Sequence, residues 1–394
     1  MRPRPAAVLG FGQTKFRTTR TDVSGPELVF EAVSAALADS DTDLSEIDAI
    51  VFASAPEVFE GVYEPDRWCM EAFGGAGKPV VRVHTGGATG GSAGIAGARL
   101  VQSGMYETVL VVGLQRTSET ADAQAVFTTI FDPIFEQDVQ LNVITGIALV
   151  ASRQMKYFGL TEDHMAWVSK KNFDNALLNP FAHLHKQITI EDVKTSRQIA
   201  WPIRLYHACP RSDGAAAAVI TSAEKAVRRG GKVAWMRGGG HATDVYRIGD
   251  RIKDTESDLA IPRALTWACD HAYREAGITD PLNQLDVIEV YAPFSNLEIG
   301  YYESMRLAPS GRGIELVESE ATALGGKIPV CPSGGCMTAN PIGATGLVRF
   351  GEAALQVMGR AGAHQVEGAR MALATACGGI DQFYTAAILS SDPE

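Results

Sequence analysis

The chain has 394 residues, of which 46% are hydrophobic, and a formal charge of −11. It is too long for one simple core and suits two or three packed units. The acidic balance argues against nucleic acid as a partner, since phosphate binding needs basic patches, and no apolar run reaches the roughly 20 residues that span a bilayer.

The opening MRPRPAAVLGFGQTKF is basic but runs straight into a Gly-punctuated strand pattern. It has no long apolar stretch and no cleavage site, so no signal peptide is read there. SEIDAIVFASAPE (45–57) is a polar lead, an acid and an alternating strand that ends in a Pro turn. VHTGGATGGSAG (83–94) then opens a small-residue amphipathic helix, which leads into the buried strand of TVLVVG (108–113). From about 114 to 205 the chain is richer in polar and aromatic residues, as in FTTIFDPIFEQD and NPFAHLHK. This reads as an inserted, partly helical excursion, a kind of segment that often carries binding function. The apolar strand of CPRSDGAAAAVI (209–220) follows it.

The remainder repeats this order. NQLDVIEVYAPFS (283–295) parallels 45–57. GATGLVRFGEAALQVMGRAG (343–362) with ARMALATACGG (369–379) parallels the Gly-rich turn, helix, loop and buried strand of 90–113. Strand runs alternating with Ala- and Gly-rich helices predict an α/β fold. The shared order predicts two similar halves, 1–225 and 226–394. Cys69, Cys209, Cys269, Cys331, Cys336 and Cys377 show no CxxC spacing, which points to a reducing cytosol. The eight histidines make no HExxH pattern. His183 and His185 suit a ligand pair on a strand or, as read here, a surface loop, and no metal is expected.

A helix N-terminus preceded by small residues collects free N–H groups and positive dipole. A Cys in such a turn is a reactive thiolate. VHTGGATGGSAG has the outline of this turn but no nucleophile, and close helix packing selects small residues too.

Taken with its flanks, the chain resembles the thiolase superfamily, specifically the sterol-carrier-protein-x type and its lipid-transfer-protein-like relatives. HTGGATGGSAG is similar to the nucleophile turn, and CPRSDGAAAAVI to the strand that closes the first half. EVYAPFS (289–295) is similar to the first C-terminal motif. ALGGKIPVCPSGG followed by NPIGATGL (340–347) is similar to the Gly-His-Pro block, and LATACGG (373–379) to the last loop. The resemblance implies a five-layered α-β-α-β-α thiolase fold of two similar halves with an inserted loop domain.

Three departures shape the expected chemistry. Gly87 stands where a thiolase has its acyl-accepting Cys, so no thioester forms there. Asn340 stands in place of the His of Gly-His-Pro, and its amide still donates a hydrogen bond. Tyr291 replaces the His or Asn of the first C-terminal motif, whereas Cys377 matches the general acid/base Cys.

What remains suits retro-aldol cleavage of a β-hydroxyacyl-CoA. A base takes the β-hydroxyl proton, the Cα–Cβ bond breaks, and donors hold the thioester enolate. Thiolase-like aldolases of bacterial steroid side-chain degradation share the missing Cys and the Tyr. The resemblance implies three catalytic residues: Tyr291 for proton transfer, provided neighbouring donors lower its pKa; Cys377 as proton donor to the enolate; and Asn340 as oxyanion donor. It sets His84, Gly87, Gly343, Gly378 and Gly379 around the substrate. A plainer role stands beside each: a buried Tyr291 with its hydroxyl bonded, an inert Cys377 thiol, Asn340 as a turn residue before Pro341, and His84 packed ahead of the helix. Cys336, His207 and Asp213 are read as structural, and Lys156, Lys170, Lys171, Lys186, Lys194 and Arg197 as a solvated face.

Coenzyme A arrives as the thioester of the substrate, and no bound cofactor is implied. The implied partners are a second copy or another thiolase-like chain, and a small OB-fold protein that helps carry the acyl-CoA, in the cytoplasm. Two further functions stay open: a non-catalytic acyl-CoA-binding subunit, and a thiolase-type acyltransferase that uses Cys377 in another role.

Overall fold

The computed structural model describes residues 4–139, 142–252 and 259–393. Among them the strands are β1 (Ala6–Gln13), β2 (Ala49–Ala53), β3 (Val80–Val83), β4 (Thr108–Arg116), β5 (Gln198–Ala200), β6 (Ile203–Arg204), β7 (Asp213–Ser222), β8 (Ala234–Thr243), β9 (Val287–Glu289), β10 (Met371–Gly378) and β11 (Phe383–Ser390). The longer helices are α1 (Gly25–Asp39), α2 (Thr89–Gln102), α3 (Val143–Phe158), α4 (Glu162–Ala176), α5 (Arg263–Ala276), α6 (Ser295–Ser304) and α7 (Ile342–Met358).

Nine strands form one sheet in the order β3-β2-β4-β7-β1-β8-β11-β10-β9. The order is mirrored about the β1–β8 contact, which consists of two residue pairs, Ala7↔Trp235 and Val8↔Ala234. On one side β2 runs parallel to β4, and β7 is antiparallel to its neighbours β4 and β1. On the other side β9 runs parallel to β10, and β11 is antiparallel to its neighbours β10 and β8. The mirror extends to the edges. β3 pairs parallel with β2, and in its counterpart place Val330 makes a single parallel bridge to Ile288 of β9. The repeated motifs at 45–57 and 283–295 thus contribute equivalent strands, β2 and β9.

Helices cover both half-sheets and fill the space between them. β7 shows why its sequence is a nearly unbroken apolar run: both faces are buried. Ala215, Ala217 and Val219 face an outer core built on Leu28, Val29 and Ala32 of α1. Ala216, Ala218 and Ile220 face a central core with Ala93 and Ala98 of α2 and Leu347 and Phe350 of α7. A third core joins Leu265, Ala268 and Ala272 of α5 to Leu373 and Ile388. This gives the five layers, α1, sheet, α2 with α7, sheet, α5. The start of α1 is fixed locally, since the Ser24 hydroxyl accepts the Glu27 N–H at 3.3 Å and the Glu27 carboxylate accepts the Ser24 N–H at 2.6 Å.

The central helices cross where both are made of small residues. A Cβ on Gly90 would lie 3.1 Å from the carbonyl oxygens of Gly343 and Ala344, and one on Gly346 would lie 3.1 Å from the Gly90 carbonyl carbon. The two N-terminal ends therefore meet backbone to backbone, which brings the Gly-rich turn of 85–88 close to the NPIGATG segment. Between β4 and β7 the chain leaves the sheet through α3, α4 and the small β5–β6 hairpin. Among the described residues no helix is long and apolar enough to cross a membrane.

Candidate active site

The turn before α2 is held by Thr89. Its hydroxyl accepts the Thr85 N–H at 2.8 Å and donates to the Gly86 carbonyl at 2.6 Å. Gly86 carries φ +60°, which suits glycine. The end of β10 lies across this turn. A Cβ on Gly87 would stand 2.6 Å from the Cys377 carbonyl oxygen, and one on Gly378 would fall on the Thr85 carbonyl, 2.7 Å from the Ala88 nitrogen. Turn and loop thus touch through backbone alone, and the absence of a side chain at 87 is a packing requirement. Gly379, at φ +67°, faces the same turn.

Tyr291 follows β9 by two residues and is buried, at 3% exposure. The segment carrying Cys209 runs alongside: the Cys209 N–H donates to the Pro293 carbonyl at 2.9 Å, and Ala208 bridges Phe294. Asn340 is fixed on several sides. Its backbone N–H donates to the Ser212 hydroxyl at 3.0 Å, and its side-chain oxygen accepts the Thr345 hydroxyl at 2.8 Å. That turns its amide nitrogen toward the Cys209 sulfur, 3.1 Å away. Tyr291 and Cys377 share this environment with Cys209, Cys336 and Thr345.

Burial sets the charge state of the cluster. It pushes the Tyr291 hydroxyl well above the usual phenol value, and only the Thr345 hydroxyl opposes the shift. It likewise pushes Cys377 and Cys336 up, and Cys209 up to about 12. The condition for Tyr291 to act as a base, a lowered pKa, is therefore not met: desolvation outweighs the neighbouring donor, and Tyr291 is a protonated phenol at neutral pH. A neutral phenol, a neutral thiol and an amide are hydrogen-bond donors. Such a set, away from water, is suited to hold an oxygen on which negative charge develops.

The other expected site residues distribute unevenly. His84 is exposed, ahead of the turn. Gly343 packs elsewhere: its N–H donates to the Gln115 side chain at 2.9 Å, and a Cβ there would lie 2.6 Å from the Ala55 nitrogen. That leaves it no free N–H for a substrate. Cys336 is buried within the Tyr291 cluster. His183 bonds Thr18 and Ser212, each at 2.9 Å, and His185 bonds the Asn179 carbonyl at 2.5 Å. Lys171, expected on a solvated face, is buried and ion-paired with Glu298. Lys170 pairs with Asp174, and Lys194 with Asp163 at 2.6 Å. Two clefts of about 620 and 570 Å³ lie around Lys232 near the C-terminal end of α7. Neither cleft is lined by Tyr291, Asn340 or Cys377.

Two acids escaped the sequence reading. Asp381 sits in the loop after Cys377 and is buried, its carboxyl pushed up by desolvation against the pull of Tyr301 and Tyr384. An Asp inside the ACGGIDQFY strand end was its only sequence signal. Glu60 accepts the Arg116 N–H at 2.7 Å and the Gln115 amide at 2.9 Å, which aligns Gln115 with Gly343. Burial raises Glu60 from 4.5 to about 8. Between those values the folded state binds more protons than the unfolded one, so stability falls as pH rises and the loss is complete above about 8. Glu60→Gln is expected to match the parent near pH 4.5 and to exceed it by roughly 1–3 kcal/mol at pH 9. Paired urea titrations at the two pH values measure this, and equal differences at both would refute it.

Comparison with known proteins agrees with this fold. Residues 248–391 match the family model described as thiolase C-terminal domain-like. An acetyl-CoA acetyltransferase of Methanothermobacter thermautotrophicus is 30% identical over 378 residues, covering 95% of this chain and 97% of that protein. Sterol carrier protein 2 of Oryctolagus cuniculus is 30% identical over 384 residues, covering 93% of this chain and 68% of that protein. Among solved structures, an Ltp2–ChsH2(DUF35) aldolase superposes with a TM-score of 0.84 at 23% identity, covering 100% of this chain and 99% of that one. The chain belongs to the thiolase superfamily, with the sterol-carrier-protein and lipid-transfer-protein-like thiolases as its relatives.

Proposed function

We propose that the chain is an acyl-CoA carbon–carbon lyase. It cleaves a β-hydroxyacyl-CoA by a retro-aldol reaction through a thioester enolate, with no covalent acyl-enzyme. The observation that carries this reading is the turn at Gly87, closed by the Cys377 carbonyl, beside the neutral donors Tyr291, Cys377 and Asn340. Tyr291 and Asn340 hold the enolate oxygen, the β-hydroxyl proton passes to water as the Cα–Cβ bond breaks, and Cys377 delivers a proton to the carbon. Coenzyme A is the thioester part of the substrate, and a bulky acyl group of the steroid side-chain kind is the substrate class.

The fold likeness to the Ltp2–ChsH2(DUF35) aldolase supports the reading. By its name that aldolase pairs with a DUF35 chain, and the proposal extends to a partner of that kind and to pairing with a second thiolase-like chain. The 30% identity to an acetyl-CoA acetyltransferase favours acyl transfer as the second reading. Turnover of β-hydroxyacyl-CoA and 3-ketoacyl-CoA esters, with and without free CoA, separates the two. Carbonyl release from hydroxy esters without free CoA is the expected result. Turnover confined to keto esters plus CoA would replace the lyase with an acyltransferase.

A further inference from the structure

Asn340 ends a chain of hydrogen bonds that begins outside the site, at the exposed Thr18. The Thr18 hydroxyl and His183 Nε2 lie 2.9 Å apart, and His183 Nδ1 lies 2.9 Å from the Ser212 hydroxyl oxygen. That oxygen accepts the Asn340 backbone N–H at 3.0 Å. Four segments distant in sequence supply the links: the residues just after the GQTKF start, NPFAHLH, CPRSDG and NPIGATG. Backbone bonds hold these segments together. The Phe16 N–H donates to the Phe181 carbonyl at 3.2 Å, and the Asp213 N–H to the Arg17 carbonyl at 2.8 Å. The Leu184 N–H donates to the Thr338 carbonyl at 3.0 Å, and the Ser212 N–H to the Asn340 carbonyl at 3.3 Å. Ser212 is buried and His183 half-buried, so the loop expected on the surface is partly enclosed.

The protons of this chain have one arrangement that satisfies every link. Ser212 has a single hydroxyl proton, and Asn340 uses its oxygen as an acceptor. Among the described residues the other polar partner of that oxygen is His183 Nδ1. The hydroxyl therefore donates to an unprotonated Nδ1, and the ring proton sits on Nε2, where it donates to Thr18. Burial, against the pull of Asp213, holds the ring below its usual pKa and so keeps it neutral at pH 7. A hydroxyl whose proton is fixed presents its lone pairs in fixed directions, and one of them meets the Asn340 N–H. The Thr345 hydroxyl holds the Asn340 side-chain oxygen at 2.8 Å, so backbone and amide are secured by different residues.

We propose that Ser212 and His183 are positioning residues for Asn340, holding its backbone so that the amide N–H meets the enolate oxygen. The proposal rests on the retro-aldol reading, in which Asn340 is an oxyanion donor. Neither residue touches the reacting atoms in this scheme; both act through the Asn340 N–H. Such a donor is effective only when it is already in place as charge develops, because moving it at that moment costs part of the stabilisation. Without the Ser212 hydroxyl the Asn340 N–H is buried and unpaired, and the segment is free to shift toward another acceptor. Without His183 the Ser212 proton loses its acceptor and the hydroxyl turns. Either change leaves the donor present but misaimed, which weakens binding of the transition state more than binding of the substrate.

The test uses the full chain and two probes. One is 3-hydroxy-3-phenylpropionyl-CoA, whose cleavage gives benzaldehyde and acetyl-CoA. The other is acetyl-CoA alone in D2O, with deuterium at its methyl group read by mass spectrometry, which reports enolate formation without cleavage. Ser212→Ala and His183→Leu are expected to lower kcat for cleavage, and the rate of deuterium wash-in, by about 10–10²-fold. KM should stay within about twofold of the parent, since the lost aim matters in the transition state. His183→Asn offers an amide oxygen in place of Nδ1 and is expected to remain within about threefold of the parent. If Ser212→Ala and His183→Leu match the parent, or their losses only follow the folded fraction in denaturant titrations, the positioning role is overturned and the lyase stands. His183→Asn as slow as His183→Leu also overturns it. A parent that washes in deuterium but does not cleave, with Ser212→Ala and His183→Leu slow and His183→Asn intact, would sink the lyase and keep the positioning role. A parent that does neither overturns both.

Discussion

Tyr291→Phe is expected to lower kcat/KM for β-hydroxyacyl-CoA cleavage by about 10²–10³-fold, the loss typical of one oxyanion donor. That corresponds to about 2.7–4 kcal/mol of transition-state stabilisation. The substitution keeps the buried ring, so packing around position 291 changes little. A purely structural Tyr predicts something else: loss of one buried hydrogen bond, about 1 kcal/mol of stability, and activity that follows the folded fraction. Denaturant titration and steady-state kinetics on the same preparation separate the two. The pH profile adds a second discriminator. A Tyr291 base with lowered pKa would make activity rise as the phenol ionises near neutrality. Burial instead keeps the phenol protonated there, so Tyr291 should add no such limb. A limb that vanishes in Tyr291→Phe would return the base role to this residue.

The features legible in the sequence were those with a period or a repeat. The 45–57 and 283–295 motifs became β2 and β9, and the two Gly-rich turns opened α2 and α7, because periodic burial and glycine contacts leave a pattern in one dimension. Tyr291, Cys377 and Asn340 were reached by motif register, and the fold draws the segments carrying them into one neighbourhood around Thr345 and Cys209. Their charge states were not legible. A pKa depends on how many atoms exclude water from a group, and nothing in the letters around Tyr291 gives that count. Lys171 failed for the same reason: a Lys on a polar helix reads as solvated until Glu298, 127 positions away, is seen beside it. Asp381 and Glu60 lie in loops without period, where only tertiary contacts define a residue's surroundings.

Restoring a cysteine to the turn should fail to restore a thiolase. Gly87→Cys places a Cβ 2.6 Å from the Cys377 carbonyl oxygen, well inside van der Waals contact. The obstacle is backbone, not the end of a flexible side chain. Relief would require the end of β10 to move, yet Gly378 is itself packed on the Thr85 carbonyl and the Ala88 nitrogen, so turn and loop would have to separate together. Overpacking of this kind costs about 1–3 kcal/mol. The variant is therefore expected to unfold at lower denaturant concentration, and Gly87→Ala to lose a similar amount, since the clash begins at Cβ. Intact-mass spectrometry after incubation with an acyl-CoA should find no acyl adduct, and no CoA burst should precede turnover. An adduct at position 87 would mean that the turn opens in solution by the width of a side chain. The acyltransferase reading would then regain its first covalent step. Without an adduct, two barriers separate this chain from acyl transfer, a missing sulfur and a backbone that has closed over its place.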